Sequence, residues 1–226
     1  LNQSYRNFEI CLCDDHSSLA ETIEILKEYE STYDNVHVVY RQKNGMISQA
    51  SNSAIAIAKG EFIALVDNDD VVEKDALYFV VRALNQNRDL DLIYTDEDKI
   101  DYSGNYMEPH FKPDYSPDTF MGLNYICHLC VIRRESVNKV GGFRKEYDGS
   151  QDYDLFLRIL DHTDHVYHVD RVLYHWRQTP ESTSGYLGSK NYAFEAGRRA
   201  LEDTLKRRNI RGRILDNPRF SGYLTK

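Results

Sequence analysis

The sequence predicts an α/β domain with a doubly wound, mostly parallel sheet flanked by helices. Three observations predict it. Short apolar runs of strand length, at residues 8–13, 36–40 and 62–66, alternate with segments of helical period. The intervening helical segments are ~10–15 residues long, enough to carry a chain back across a parallel sheet. Two of the runs end in acids, Asp14-Asp15 and Asp67-Asn68-Asp69-Asp70. Strand carboxyl ends share one edge of such a sheet, so both acidic clusters are expected to line the same crevice.

The elements follow in order. Residues 8–13 form a buried strand. Ser17 or Ser18 caps a helix through about Glu30, with Leu19, Ile23, Leu26 and Tyr29 at helical spacing. The second strand is 36–40. Asn44-Gly45 makes a turn, and 47–58 is a small-residue helix suited to close packing on a sheet, ended at Gly60. The third strand, 62–66, runs into the acids. A helix over 74–84 and a short strand over 92–94 complete this half. Residues 95–117 hold acids, Gly104 and three prolines, and read as a long loop. Residues 124–133 are a strand candidate, Gly141-Gly142-Phe143 a turn, and 152–160 a short helix. Short strands at 166–169 and 172–176 flank Asp170-Arg171. Residues 178–188, rich in Ser, Thr and Gly, read as mobile, with 182–188 suited to a lid. The final helix, 190–208, ends in Arg198, Arg199, Lys206, Arg207 and Arg208. That basic end reads either as a solvated terminus favoured by the helix dipole or as a peripheral membrane contact. No linker divides the chain, so halves at 1–100 and 101–226 are expected to form one continuous domain.

Composition excludes several classes. The chain has 226 residues, 41% hydrophobic, enough for a large core. Its net charge of −8 argues against a nucleic-acid binder, which needs clustered Lys and Arg. No apolar run approaches the ~20 residues of a membrane span, and no secretory signal pattern is visible. The chain opens at Leu1 rather than Met and reads as a fragment whose beginning is missing. Seventeen tyrosines against one tryptophan suit a surface that stacks on rings. Cys11-x-Cys13 and Cys127-x-x-Cys130 invite a zinc reading. Both pairs sit in strand-like stretches, where Cys127 and Cys130 would face opposite sides, so buried apolar thiols are the preferred reading. Four unpaired thiols suit a reducing, cytoplasmic location.

The acids after the third strand carry most of the chemistry. Crowded carboxylates repel and resist desolvation unless a cation sits among them. A hard divalent cation shared with a diphosphate is one reading. A polar turn, with Asp70 capping the next helix, is the other.

Several segments, taken in order, resemble one family. They are Asp14-Asp15-His16-Ser17, the Asn44-Gly45 turn, Ala58-Lys59-Gly60-Glu61-Phe62-Ile63-Ala64-Leu65-Val66-Asp67-Asn68-Asp69-Asp70, and Gly149-Ser150-Gln151-Asp152-Tyr153-Asp154-Leu155. They resemble family 2 glycosyltransferases of the GT-A fold. Tyr94-Thr95-Asp96-Glu97-Asp98-Lys99-Ile100 and Val172-Leu173-Tyr174-His175-Trp176-Arg177 are similar to a bacterial branch that builds surface polysaccharides. The resemblance covers nearly the whole chain. It departs at the start, where the family's first, nucleotide-contacting strand is absent.

The resemblance implies inverting transfer of a sugar from a nucleoside-diphosphate donor, UDP-hexose first and dTDP-rhamnose second. The acceptor is a hydroxyl of a glycan or lipid-linked glycan, in cell-surface polysaccharide or glycoconjugate synthesis. Residues 1–100 would then bind the nucleotide sugar and 101–226 the acceptor. It implies Mn²⁺ or Mg²⁺ held by Asp69, Asp67 and His175. His175 reads otherwise as a packed strand residue. Asp14, Asp15, Arg41, Asn44, Gly45, Asp67 and Asn68 would contact the donor. For Asp14 and Asp15 the local alternative is an Asx turn and helix cap. Asp152 would be the general base, its alternative role being a helix cap. Glu97 and Asp98 have no derived role and read either as acids that orient acceptor hydroxyls or as solvated acids, and Trp176, Tyr174 and Tyr186 are candidates to stack on sugars. A catalytically silent carbohydrate- or nucleotide-binding module of a larger polysaccharide-assembly protein is the competing class, and a nucleotidyltransferase a third.

Overall fold

The computed structural model describes residues 1–178, 187–217 and 222–225. Tyr186 and most of the expected lid lie outside the described residues. The first half contains β1 (Ile10–Asp14), α1 (Ala20–Thr32), β2 (Val36–Tyr40), α2 (Met46–Ile57), β3 (Phe62–Leu65), β4 (Val71–Val72) and α3 (Ala76–Gln86). Next come β5 (Leu92–Ile100), β6 (Tyr106–His110), α4 (Pro117–Phe120), β7 (Cys130–Arg133), α5 (Arg134–Lys139) and α6 (Gln151–Ile159). The described chain closes with β8 (Val166–Arg177), α7 (Leu187–Arg207), β9 (Ile214–Asp216) and β10 (Tyr223–Thr225).

The class is the α/β one the sequence predicts, with a more mixed strand pairing. β1 and β2 form a parallel pair. The main sheet runs β3-β7-β5-β8-β4, with β6 on β5. Within it β5 and β8 are parallel, while the β3–β7, β5–β7, β4–β8 and β5–β6 pairs are antiparallel. Connection length explains the mixture. A parallel neighbour needs a crossover of a dozen or more residues, which α4 to α6 supply between β5 and β8. β6 returns after a tight turn and must be antiparallel.

Strand alternation puts the sheet's two faces into two cores. Leu92, Tyr94, Cys130 and Ile132 pack under α6 and α7 with Leu155, Phe156, Ala200 and Leu201. Ile93, Leu129, Val131 and Leu173 pack under α3 with Ala76, Val80 and Ala83. Each fully buried Leu, Ile or Phe contributes roughly 1.5–3 kcal/mol. That double-sided burial steadies β5 and β7 while their ends carry charge.

Several local expectations are revised. The strand at 92–94 continues to Ile100, and part of the expected loop over 95–117 is the β5–β6 hairpin. The reason is non-local pairing of the acids. Asp96 accepts from Lys112 N–H at 2.9 Å and sits 2.8 Å from His168 Nε2, while Asp98 meets His175. The strand expected at 124–133 starts only at Cys130. Residues 126 and 128 are instead drawn aside, their carbonyls accepting from the buried Lys112 ammonium. The two strands expected at 166–176 are one, with a register shift opposite Thr95 and Asp96. At α1 the N-cap is Leu19, without a side-chain cap; Ser17 N–H donates to Asp14 Oδ1.

Ion pairs tie α6 to α7. Asp154, 1% exposed, sits between Arg144 and Arg158. Arg144 and Arg207 share Asp203, Arg207 and Arg208 share Asp161, and Arg198 meets Asp216. Arg199 donates to the Glu146 carbonyl. The basic end of the last helix is thus largely engaged within the chain.

Candidate active site

A cavity of about 1690 Å³ opens between β1 and β3. Ile10, Cys11 and Leu12 border it on one side and Phe62, Ile63, Ala64 and Leu65 on the other. Among the described residues no strand lies between these two edges: β1 pairs with β2, and β3 with β7. Asp67, Asn68, Asp70, Cys127, His128 and Asp152 also border the cavity. Acids from two distant segments, one after β3 and one in α6, therefore meet at one opening.

Asp67 stands just past β3, its backbone N–H donating to the Tyr174 hydroxyl at 3.2 Å. Burial pushes its carboxyl above the ordinary range; His128 opposes the rise, while Asp70, Asp152 and Asp69 add to it. Asp70 does not cap the next helix. It accepts from the Tyr174 hydroxyl and from Arg177 N–H, tying the acidic turn to β8. The Asp69 carbonyl accepts from Arg177 Nε at 2.7 Å, and its side chain is exposed.

Asp152 lies in the first turn of α6 and is not its cap. The N-cap is Ser150, whose hydroxyl donates to the Ala193 carbonyl. Asp152 Oδ2 accepts from Asn124 Nδ2 and Cys127 Sγ, each at 2.9 Å. Gly149 sets the approach to this helix at φ +95°. A side chain there would also collide with the Tyr192 ring and come 3.0 Å from Ala193 Cα. Gly149→Ala is expected to lower stability by ~1–3 kcal/mol in urea titration, from strain plus overlap. An unchanged midpoint would contradict that account.

His175 is placed differently from the expectation. It is 4% exposed, with Nδ1 2.5 Å from Asp98 Oδ1 and Nε2 3.2 Å from Glu73 Oε1. Both ring nitrogens face acids from other segments, and His175 does not border the cavity. No group of three or more His, Cys, Asp or Glu is arranged for a metal ion among the described residues. The expected set of Asp69, Asp67 and His175 is therefore not assembled.

The expected donor residues of the first half form their own network. Arg41 Nε lies 2.7 Å from Asp15 Oδ1, and Gly45 N–H donates to the Asp15 carboxylate. Asn44 Nδ2 donates to the Asp15 carbonyl, and Arg41 also donates to Ser53 and Gln49. Asp14 is buried and makes the Asx-type contact to Ser17. These five do not border the cavity, whereas Asp67 and Asn68 do. Tyr174 is fully buried, stacked on His128 at 5.0 Å, and is not free to stack on a sugar.

Three residues at or behind the opening have no role that the sequence gives them: Glu97, which it marks without one, and Lys112 and His128, which it does not mark. Glu97 accepts from Lys112 Nζ at 3.2 Å and from the His128 backbone N–H, and lies 3.3 Å from His110 Nδ1. Burial works against its charge, but His110, His128 and Lys112 outweigh it and hold the carboxyl far below the usual range. His128 sits 3.5 Å from Glu97 and 3.7 Å from Asp67. Burial disfavours its cation, yet Glu97, Asp67 and Asp152 raise it above the ordinary histidine value.

A lowered carboxyl stabilises the fold above its unfolded value of about 4.3, and that stability drains away as pH falls toward the folded value. Glu97→Gln should therefore be less stable than wild type at neutral pH. The gap should narrow as pH drops below about 4.3. Thermal melting across pH 7 to 3 reads this, and a gap of constant size would refute it.

The arrangement places the Asp152 carboxylate near a second acid, Asp67, and near the His128 imidazole. Comparison with known proteins agrees with a transfer chemistry. The family described as Glycosyl transferase family 2 matches residues 1–141. O-antigen biosynthesis protein RfbC of Myxococcus xanthus is 34% identical over 91% of this chain and 16% of its own length. Chondroitin synthase of Escherichia coli is 29% identical over 81% of the chain and 26% of its length. The chain thus spans about a quarter or less of these relatives. A mannosyltransferase from Pyrobaculum calidifontis, solved with GDP-Man and Mn²⁺, superposes with a TM-score of 0.67 at 16% identity, covering 91% of this chain and 57% of that one. With the sheet, the acid-lined opening and these matches in agreement, the chain belongs to glycosyl transferase family 2.

Proposed function

We propose that the chain moves a sugar, with inversion, from a nucleoside diphosphate to an acceptor hydroxyl during cell-surface polysaccharide or glycoconjugate synthesis. The observation that carries this reading is the closeness of Asp67 and Asp152, acids from distant segments whose charges act on each other and on His128. In direct displacement the acceptor oxygen attacks the anomeric carbon as its proton passes to Asp152. The bond to the diphosphate breaks with its electron pair on the leaving oxygen. His128, whose protonated form is favoured by Glu97, Asp67 and Asp152, stands at the same opening and can offset negative charge there when protonated.

Asp67 suits a Mn²⁺ or Mg²⁺ ion, because its half-exposed carboxylate is crowded by Asp69, Asp70 and Asp152. Asp69 is the second candidate ligand; His175, held by Asp98 and Glu73, does not fit the role. When bound, such an ion would offset charge on the departing diphosphate. UDP-hexose leads among donors, with dTDP-rhamnose behind it. The acceptor class is a glycan or a lipid-linked glycan. The free thiols suit a cytoplasmic setting. The Asp67–Asp152 pairing favours an enzyme over a silent binding module.

The test is a thermal-shift panel of UDP-, GDP- and dTDP-sugars with and without Mn²⁺. One nucleotide class should raise the melting temperature, and more so with the ion. An equal response to every compound would sink the reading.

A further inference from the structure

Asp152 is anchored through one oxygen. Cys127 S–H and Asn124 Nδ2–H both donate to Oδ2 over 2.9 Å. Asn124 Nδ2 also lies 3.3 Å from Cys127 Sγ, so the three groups close a triangle. No hydrogen bond reaches Asp152 Oδ1 from the described residues, and Asp152 borders the cavity. The two donors arrive from the segment ahead of β7, whereas the acid belongs to α6.

The donors are suited to the task. Burial, with Asp152 and Glu97 close by, pushes the Cys127 thiol well above its ordinary range. Its sulfur therefore keeps the proton and donates it as a hydrogen bond. Asn124 Oδ1 is buried without a partner among the described residues. Leaving an amide oxygen unpaired is costly, and the charge-assisted contact of the same amide to Asp152 offsets that cost. The surroundings are charged: Asp67 lies beyond β3, His128 follows Cys127, and Glu97 and Lys112 act on Cys127 from β5 and from the segment after β6.

We propose that Cys127 and Asn124 are positioning residues that clamp Oδ2 of Asp152, so that Oδ1 is the oxygen presented to the acceptor hydroxyl. This rests on the reading of Asp152 as the base. A carboxylate free to rotate would present its reactive oxygen only part of the time. Small misplacements of a reacting group slow catalysis steeply.

The experiment uses the full-length protein with Mn²⁺ and a mixture of UDP-glucose, UDP-galactose, GDP-mannose and dTDP-rhamnose, reading nucleoside diphosphate release. Cys127→Ala and Asn124→Ala should each lower kcat about tenfold, with donor KM nearly unchanged. Cys127→Ser, which retains a donor, should recover most of the loss. In an Asp152→Asn background Cys127→Ala should add nothing further, because the clamp acts only through the acid. Wild-type kcat in Cys127→Ala, or an equal loss in Cys127→Ser with melting temperature preserved, overturns the clamp. So does a Cys127→Ala loss that persists undiminished in Asp152→Asn. An infrared arm is independent of turnover: the S–H stretch lost in Cys127→Ala should lie lower in wild type than in Asp152→Ala, which leaves no acceptor at that position. An unshifted band refutes the hydrogen bond. Wild-type turnover in Asp152→Asn would instead overturn the base assignment itself, which keeps the two failures apart.

Discussion

Replacing Asp152 by Asn is expected to leave donor binding nearly intact while transfer falls roughly 10²–10⁴-fold, the usual contribution of a positioned general base. Asn matches Asp in shape and keeps an oxygen for the Cys127 and Asn124 donors, so the fold should survive. What it lacks is an available site for the acceptor's proton. Donor affinity by calorimetry and initial rates of nucleoside diphosphate release separate the two effects. Loss of both together would mean that Asp152 binds rather than reacts. Comparable turnover would remove it from the mechanism.

The second large effect concerns Lys112, whose side chain is wholly buried. Its ammonium donates to Glu97 at 3.2 Å, to the Ile126 carbonyl at 3.2 Å and to the His128 carbonyl at 2.6 Å. Lys112→Met removes the one buried ammonium beside Glu97, leaving only His110 and His128 near that acid, and strips two carbonyls of their donor. Breaking a buried pair from one side typically costs about 3–5 kcal/mol. Urea denaturation should show a loss of that order. Activity should fall too, because the same ammonium holds residues 126–128, which carry Cys127 and His128 to the cavity. The double variant Lys112→Met with Glu97→Gln should be more stable than Lys112→Met alone, since no uncompensated charge remains. A loss under about 1 kcal/mol, or a double variant that simply adds the two losses, would show that the pair is not the organising contact.

Periodicity made much of the fold legible. The strands at 36–40 and 62–65, the helices around 47–57 and 76–86, and the helix at Asp152 all follow from local apolar spacing. Two stretches misled. β5 carries Asp96 and Asp98 in its second half, and on composition such a segment belongs in a loop. It is a strand because His168, His175 and Lys112 come from elsewhere to meet those acids. Residues 124–129 look like a strand, yet their polar groups are spent on Asp152 and Lys112. In both cases the deciding partner lies many residues away.

The site divides along the same line. The acids Asp67, Asp69 and Asp152 could be singled out because crowded carboxylates after a strand, and an acid opening a helix, are unusual wherever they occur. Glu97 is visible in the sequence without a role, and no local pattern marks Lys112 or His128. The family resemblance gives His175 to the metal, whereas its ring lies between Asp98 and Glu73. Nothing near it in sequence announces either partner.

By itself, the sequence determined the class of fold and the family, and it marked Asp67 and Asp152 among the acids while wrongly adding Asp14 and Asp15 to the same opening, because short-range spacing and residue chemistry fix the first and not the second. The tertiary structure alone decided which acid meets which cation, which histidine faces the cavity, and which oxygen of Asp152 stays free. Those choices depend on side chains brought within about 3 Å across the sheet, the range over which hydrogen bonds act. No pattern along a linear chain specifies such contacts.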